Sequence, residues 1–212
     1  MDIVITLTPS MLKGLATTLK YAAWVWVISI PLSFVVASAR MHKFKPLKLL
    51  AKYYINLMRG TPLLLQLMFI YFGLPYLGIS FKRETAALIA FILNYTAYFA
   101  EIMRSGIQSI DKGQYEAAKI LGISKKDTFF KIILPQVIKI VLPALGNEAA
   151  TLIKDTSLIY VLGISELLKT GRTAVNSLSS LVPFVMVGVI YLVLISITNG
   201  IFDYMEKKRS YY

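Results

Sequence analysis

The chain has no cysteine, one histidine and fewer than half as many acidic as basic residues, 11 Asp and Glu against 23 Lys and Arg. Without cysteine there is no disulfide, no thiol nucleophile and no thiolate metal site. The single histidine, His42, lies in the run RMHKFK and reads as a solvated loop residue rather than a metal ligand. No G-x-x-x-x-G-K-[ST] phosphate loop occurs, so any nucleotide chemistry has to come from elsewhere. With no Cys and one loop His, only Ser or Lys chemistry would remain for a nucleophile. The chain is therefore expected to be non-catalytic, with no metal and no cofactor of its own.

The deficit of acid leaves a net charge of +12. That could suggest nucleic acid, but the cations cluster at the ends of apolar runs, as the positive-inside rule requires, and no nucleic-acid partner is expected. Apolar residues make up 57% of the chain and mean hydropathy is +0.65. They are gathered into long runs, which points to an all-α protein in a lipid bilayer. The first long run begins well inside the chain, unlike the core of a cleaved signal peptide.

Five crossings are predicted, all within a single domain over 1–212. The first is 21–39, uncharged and containing Pro31, with 10–20 as an interfacial amphipathic lead-in. The second is about 57–78, with Thr61 and Pro62 suited to a helix start. The third is 85–103, uncharged except for Glu101. The fourth, 132–153, is interrupted by Pro135, Lys139, Pro143, Asn147 and Glu148, and a re-entrant pair of half-helices is its alternative. The fifth, 181–202, is uncharged. Segments 40–52, 104–139 and 207–209 carry 15 of the 23 cations and all fall on one side. That side is the cytoplasm, with the N-terminus outside and the C-terminus inside, in a multi-pass cell-membrane protein.

Polar groups inside such spans point to function. A carboxylate at Glu101 costs about 2.5–3.5 kcal/mol to insert. Asn94, Tyr98 and Glu101 are spaced i, i+4, i+7 and share one helix face, which could line a polar cavity; the alternative is that Glu101 simply pairs with Arg104. A second cluster is Asp155, Thr156, Ser157 and Tyr160. The first three are good N-caps for a short helix over 158–162, and its free N–H groups could cradle a carboxylate. The alternative is plain capping and packing. Two carboxylates, hydroxyls, an amide and free N–H groups suit a zwitterion with one further positive charge, so the predicted substrate is a basic amino acid such as arginine, lysine or histidine, with glutamine as rival.

The segment EAAKILGISKKDTFFKIILP, 116–135, carries the most information. It is basic and lies between apolar spans, so it faces water. Asp111 to Leu121 reads as a helix N-capped by Asp111, Gly122 as its left-handed terminator, and Ser124 with Asp127 as the cap of a second helix. The result is a knob at about 105–132 that a protein partner could grip.

The spacing E-A-A-x3-G-x9-I-x-L-P resembles the cytoplasmic loop of permease subunits of bacterial ABC importers. RGTPLLLQLMFIYFGLP (59–75), LNYTAYFAEIMRSGIQSI (93–110) and NEAATLIKDTSLIYVLGISEL (147–167) are similar to the polar amino acid branch of these permeases. The resemblance implies the type I ABC importer permease fold: five transmembrane helices and a cytoplasmic coupling helix. It implies ATPase subunits that bind ATP and magnesium, a second copy or homologous permease, an extracytoplasmic solute-binding protein and an amino acid substrate. It also makes Glu116, Ala117, Ala118 and Gly122 the contact through which ATPase motion is coupled. A self-sufficient channel or secondary transporter is the competing reading; the knob argues against it.

Overall fold

The computed structural model describes residues 2–210, and those residues form helices joined by short turns, with no strand among them. α1 (Asp2–Met41) packs along α4 (Arg83–Ser109). α2 (Lys45–Gly60) leads into α3 (Leu63–Met68), which continues through a π turn (Phe69–Gly73) and a 3-10 turn (Leu74–Leu77). The small helices α5 (Lys112–Ile120) and α6 (Lys125–Asp127) form the knob, and a π turn (Thr128–Ile133) joins α6 to α7 (Leu134–Asp155). A 3-10 turn (Thr156–Leu162) follows α7, then the amphipathic α8 (Leu167–Leu178) and the apolar α9 (Val182–Ser210).

Among the described residues, four helices are long and apolar enough to cross a membrane, and a fifth crossing exists if the bent pair α2–α3 is one span. The core lies between α1, α4 and α7. Trp26 of α1 meets Phe99 of α4 at 5.1 Å and Phe202 of α9 at 5.8 Å, both edge-on, which aromatic quadrupoles favour. Gly106 of α4 lies against Val141 of α7, where a Cβ would clash, so these helices approach closely.

The helix boundaries correct the sequence expectations in three places. α1 is one helix of 40 residues, with Pro9 and Pro31 inside it, so 10–20 lies within its first half rather than forming a separate interfacial lead-in. The break falls in the second span, not the fourth. α2 and Leu63–Leu77 meet at 104°, while α7 runs unbroken through Pro143. Pro62 lacks the N–H that would continue α2 and takes φ −62°, ψ 134°, ending one helix and starting the next. Much of the expected loop 40–52 is the first turns of α2.

The third correction concerns 155–162. Asp155 (φ −65°, ψ −27°) and Thr156 (φ −55°, ψ −22°) are helical, and the chain runs straight from α7 into the 3-10 turn. There is no fresh helix start there, and no free N–H cradle. Thr156 is fully buried and its Oγ1 donates to the Ile153 carbonyl at 2.7 Å. The new helix start lies further on, at α8, where the buried Glu166 accepts from the Leu168 and Lys169 N–H groups, each at 2.6 Å.

Candidate functional site

The broken second span opens a cavity of about 550 Å³. The end of α2 contributes Arg59; the break and the start of α3 contribute Gly60 to Leu64. α4 contributes Asn94, Tyr95 and Tyr98, and α7 contributes Glu148, Thr151 and Asp155. The α7 residues are spaced i, i+3, i+7, so one helix face carries both carboxylates.

The break itself is held by amides. With Pro62 interrupting the helix, carbonyls near the end of α2 lose their i+4 partners. Asn94 Nδ2 donates to the Met58 carbonyl at 3.0 Å and to Gln66 Oε1 at 3.0 Å. Gln66 Nε2 donates to the Met58 carbonyl at 2.8 Å, the Thr61 carbonyl at 3.1 Å and Thr61 Oγ1 at 2.7 Å. Both Asn94 donors are thus engaged in holding the bend, and only its oxygen remains for anything else.

The charged groups sit around that bend. Arg59 is exposed to the cavity, its guanidinium 5.2 Å from the centre of the Tyr98 ring, a cation–π contact that keeps the charge at the cavity edge. Tyr95 Oη donates to Asp155 Oδ2 at 2.8 Å, which fixes that carboxylate's orientation and leaves its second oxygen open. Glu148 is partly exposed to the cavity. One guanidinium therefore faces two carboxylates, an excess of one negative charge.

Of the residues expected to form the site, the structure brings Asn94, Tyr98 and Asp155 together in this cavity. Glu101 is not among its lining residues. It lies about one turn past Tyr98, bound by Arg104 through Nε at 3.0 Å and through a second guanidinium nitrogen. Arg104 also reaches Gln108. This is the pairing that the sequence left open as the alternative. Thr156 faces the core, Ser157 is partly exposed outside the lining, and Tyr160 lies under the Arg172 guanidinium at 5.6 Å. Sequence reasoning missed Arg59, Tyr95, Glu148 and Thr151. Arg59 sits in the quoted RGTP string, and Glu148 stands seven residues before Asp155, a spacing that would have exposed the pair.

The knob is the second candidate site. Asp111 Oδ1 accepts from the Gly113 N–H at 2.6 Å and caps α5. Gly122 takes φ +70°, a left-handed value that costs a side chain but not glycine. Around it the Ile123 N–H donates to the Ala118 carbonyl at 2.9 Å and the Gly122 N–H to the Lys119 carbonyl at 3.1 Å. These two bonds are a Schellman terminator. Ser124 Oγ accepts from the Asp127 N–H at 3.1 Å and starts the next helix. Glu116 and Ala117 are exposed, whereas Ala118 is 2% exposed and packs inward, so it supports the knob instead of facing outward. The most exposed apolar groups of the knob are Ile120, 86% exposed, and Leu121, 75% exposed. Neither was expected from the sequence.

Known proteins resemble this chain over most of its length. The family described as "Binding-protein-dependent transport system inner membrane component" matches residues 29–211. The arginine transport system permease protein ArtQ of Bacillus subtilis is 39% identical over 202 residues, 94% of this chain and 92% of that protein. The Rickettsia bellii protein GlnP, named for glutamine transport, is 36% identical over 212 residues, 98% and 97% of the two chains. A solved structure described as an amino acid ABC transporter with histidines superposes with a TM-score of 0.90 at 35% identity, covering 97% and 96%. The MetNI methionine ABC transporter superposes with a TM-score of 0.73 at 18% identity, over 96% and 95%, a likeness of fold.

Proposed function

Because the chain belongs to the family of inner-membrane components of binding-protein-dependent transport systems, as a permease subunit of the amino-acid ABC importer type, we propose that its cargo is a basic amino acid and that ATP hydrolysis in a partner subunit drives the uptake. The observation that carries this reading is the charge set of the cavity: Arg59 facing Glu148 and Asp155. An amino acid with a cationic side chain has one carboxylate and two cations, which is the complementary set. The α-carboxylate pairs with the Arg59 guanidinium, whose planar fork matches it. The α-ammonium and the side-chain cation pair with Glu148 and Asp155. Glutamine would leave one cavity carboxylate unmatched, and a site built for a charge rejects a ligand that lacks it. Asn94 and Tyr98 shape the wall, Asn94 by holding the bend and Tyr98 by seating Arg59. Thr156, Ser157, Tyr160 and Glu101 are left out of the direct contacts.

Movement follows from the fold. The cavity lies where a helix is broken, and broken helices are where membrane transporters hold cargo away from lipid. α7 carries both carboxylates and is continuous through the π turn with the knob. A displacement of the knob therefore shifts Glu148 and Asp155 relative to Arg59 on α2. An ATPase partner would grip the exposed Glu116, Ala117, Ile120 and Leu121, with Gly122 setting the turn. The ATP and magnesium belong to that partner. A second permease, identical or homologous, and an external binding protein complete the assembly. By the positive-inside rule, the three basic segments favour a knob in the cytoplasm and an N-terminus outside.

The test is uptake of labelled arginine and glutamine into proteoliposomes holding the full complex. The wild type should move arginine in preference, and Glu148→Gln should lower arginine uptake by about thirtyfold or more, because a cation of the bound cargo loses its partner in the cavity. Preferred uptake of glutamine by the wild type would overturn the reading.

A further inference from the structure

Away from the cavity, Lys43, Lys45, Lys48 and Lys52 fall within ten residues with no acid among them. All four are exposed, and none has an ion pair or side-chain hydrogen bond among the described residues. They differ in this from Lys131 on the knob, which pairs with Asp127 at 2.7 Å. Four unpaired like charges so close together repel one another unless an anion lies among them.

Beside them runs an apolar groove of about 360 Å³ between α1, α2 and α4. Leu32, Val35 and Ala39 form one wall, Leu47 and Leu50 the other, and Leu93 lies at its inner end. From Leu32 to Ala39 the groove extends roughly 10 Å along α1. At the inner end Tyr54 Oη donates to the Leu93 carbonyl at 2.6 Å and ties α2 to α4. At the other end the Phe44 N–H donates to His42 Nδ1 at 3.0 Å and tightens the turn that carries Lys43. Phe44 itself is 60% exposed, an aromatic at the level where the groove meets the cations.

We propose that this corner is a site for one anionic phospholipid, with an acyl chain in the groove and the phosphate among Lys43, Lys45 and Lys48. Charge complementarity picks the occupant. An apolar chain alone would explain the groove but not the lysines, and a free anion would explain the lysines but not the groove. A zwitterionic lipid has no net charge to offer them. Each Lys near a membrane surface strengthens attraction to anionic headgroups by about fivefold. The site does not depend on the identity of the cargo.

The experiment measures lipid bound per chain, by native mass spectrometry of the full chain in mixed micelles. Phosphatidylglycerol and phosphatidylcholine with the same acyl chains are compared. The wild type should retain phosphatidylglycerol over phosphatidylcholine by at least about tenfold. Replacing Lys43, Lys45 and Lys48 with Gln should bring the two within about twofold, and replacing them with Arg should keep the preference. Val35→Trp fills the groove with every cation intact, so it keeps the test decisive if the Gln variant misfolds; it should release the bound lipid. Equal retention of both lipids by the wild type would overturn the proposal. So would a preference that survives the Gln or Trp change, or displacement of the lipid by acyl-free glycerophosphoglycerol at equal concentration. A Trp variant that breaks a dimer while the wild type shows no lipid preference would assign the groove to a second copy instead.

Discussion

The cavity and the knob solve opposite problems with polar side chains tied to backbone and to one another. In the cavity, polar groups are tied to one another and to broken backbone: Asn94 and Gln66 hold the bend, and Tyr95 holds Asp155. What remains free is charge. In the knob, Asp111 and Ser124 cap α5 and α6, and beside the exposed Glu116 the turn presents apolar surface, Ile120 and Leu121. A site for a small charged solute keeps unsatisfied charge on rigid elements. A site for a protein keeps exposed apolar surface on a self-contained turn.

The contrast can be broken from the knob side first. Leu121→Asp puts a charge where a partner needs an apolar contact and should weaken copurification of the ATPase subunit by about a hundredfold or more. Arginine binding to the purified permease should stay as in the wild type. Loss of binding would mean that the two sites are not separable. Next in size is Asp155→Asn, which keeps the Tyr95 contact but removes a charge. Arginine affinity, read by equilibrium dialysis, should drop by about thirtyfold or more, with ATPase association intact.

Asn94→Ala separates holding from binding. It strips the Met58 carbonyl of one donor and should cost about 1–3 kcal/mol of stability, seen as a lower melting temperature. Affinity for arginine should fall alongside, and adding ligand should recover part of the melting temperature. The smallest effect is expected from Glu101→Gln. The Glu101–Arg104 pair is partly solvated, with side chains 27% and 23% exposed, and such pairs contribute about 0–1 kcal/mol. Arginine uptake should change by less than about fivefold. A larger loss would return Glu101 to the cargo path.

The sequence and the structure agree best where the signal is local. The caps at Asp111 and Ser124 and the turn at Gly122 were legible because each is decided by neighbours within three or four residues. The third and fifth spans were legible because α4 and α9 are long and apolar. The break in the second span was misplaced. The expected span from Leu57 to Gly78 takes in the charged end of α2, Arg59, and Pro62 reads as a helix start inside one span, when it separates two segments meeting at 104°. The partners that keep the bend stable, Asn94 and Gln66, come from 28 residues apart in sequence. The reverse error occurred at 155–157, where good capping residues suggested a helix start that the continuous backbone does not make. Capping types mark a start only if the chain bends there. Glu101 stands out as the lone carboxylate of an otherwise uncharged span, while Glu148 shares its span with Pro135, Lys139, Pro143 and Asn147.

Binding of arginine to the purified complex, with glutamine as competitor, tests the central claim most directly. With Arg59, Glu148 and Asp155 all present, arginine should bind and excess glutamine should barely displace it; with Arg59→Gln, arginine should be lost along with its carboxylate partner. Equal displacement by glutamine, or full arginine affinity in the Arg59→Gln protein, would contradict the account.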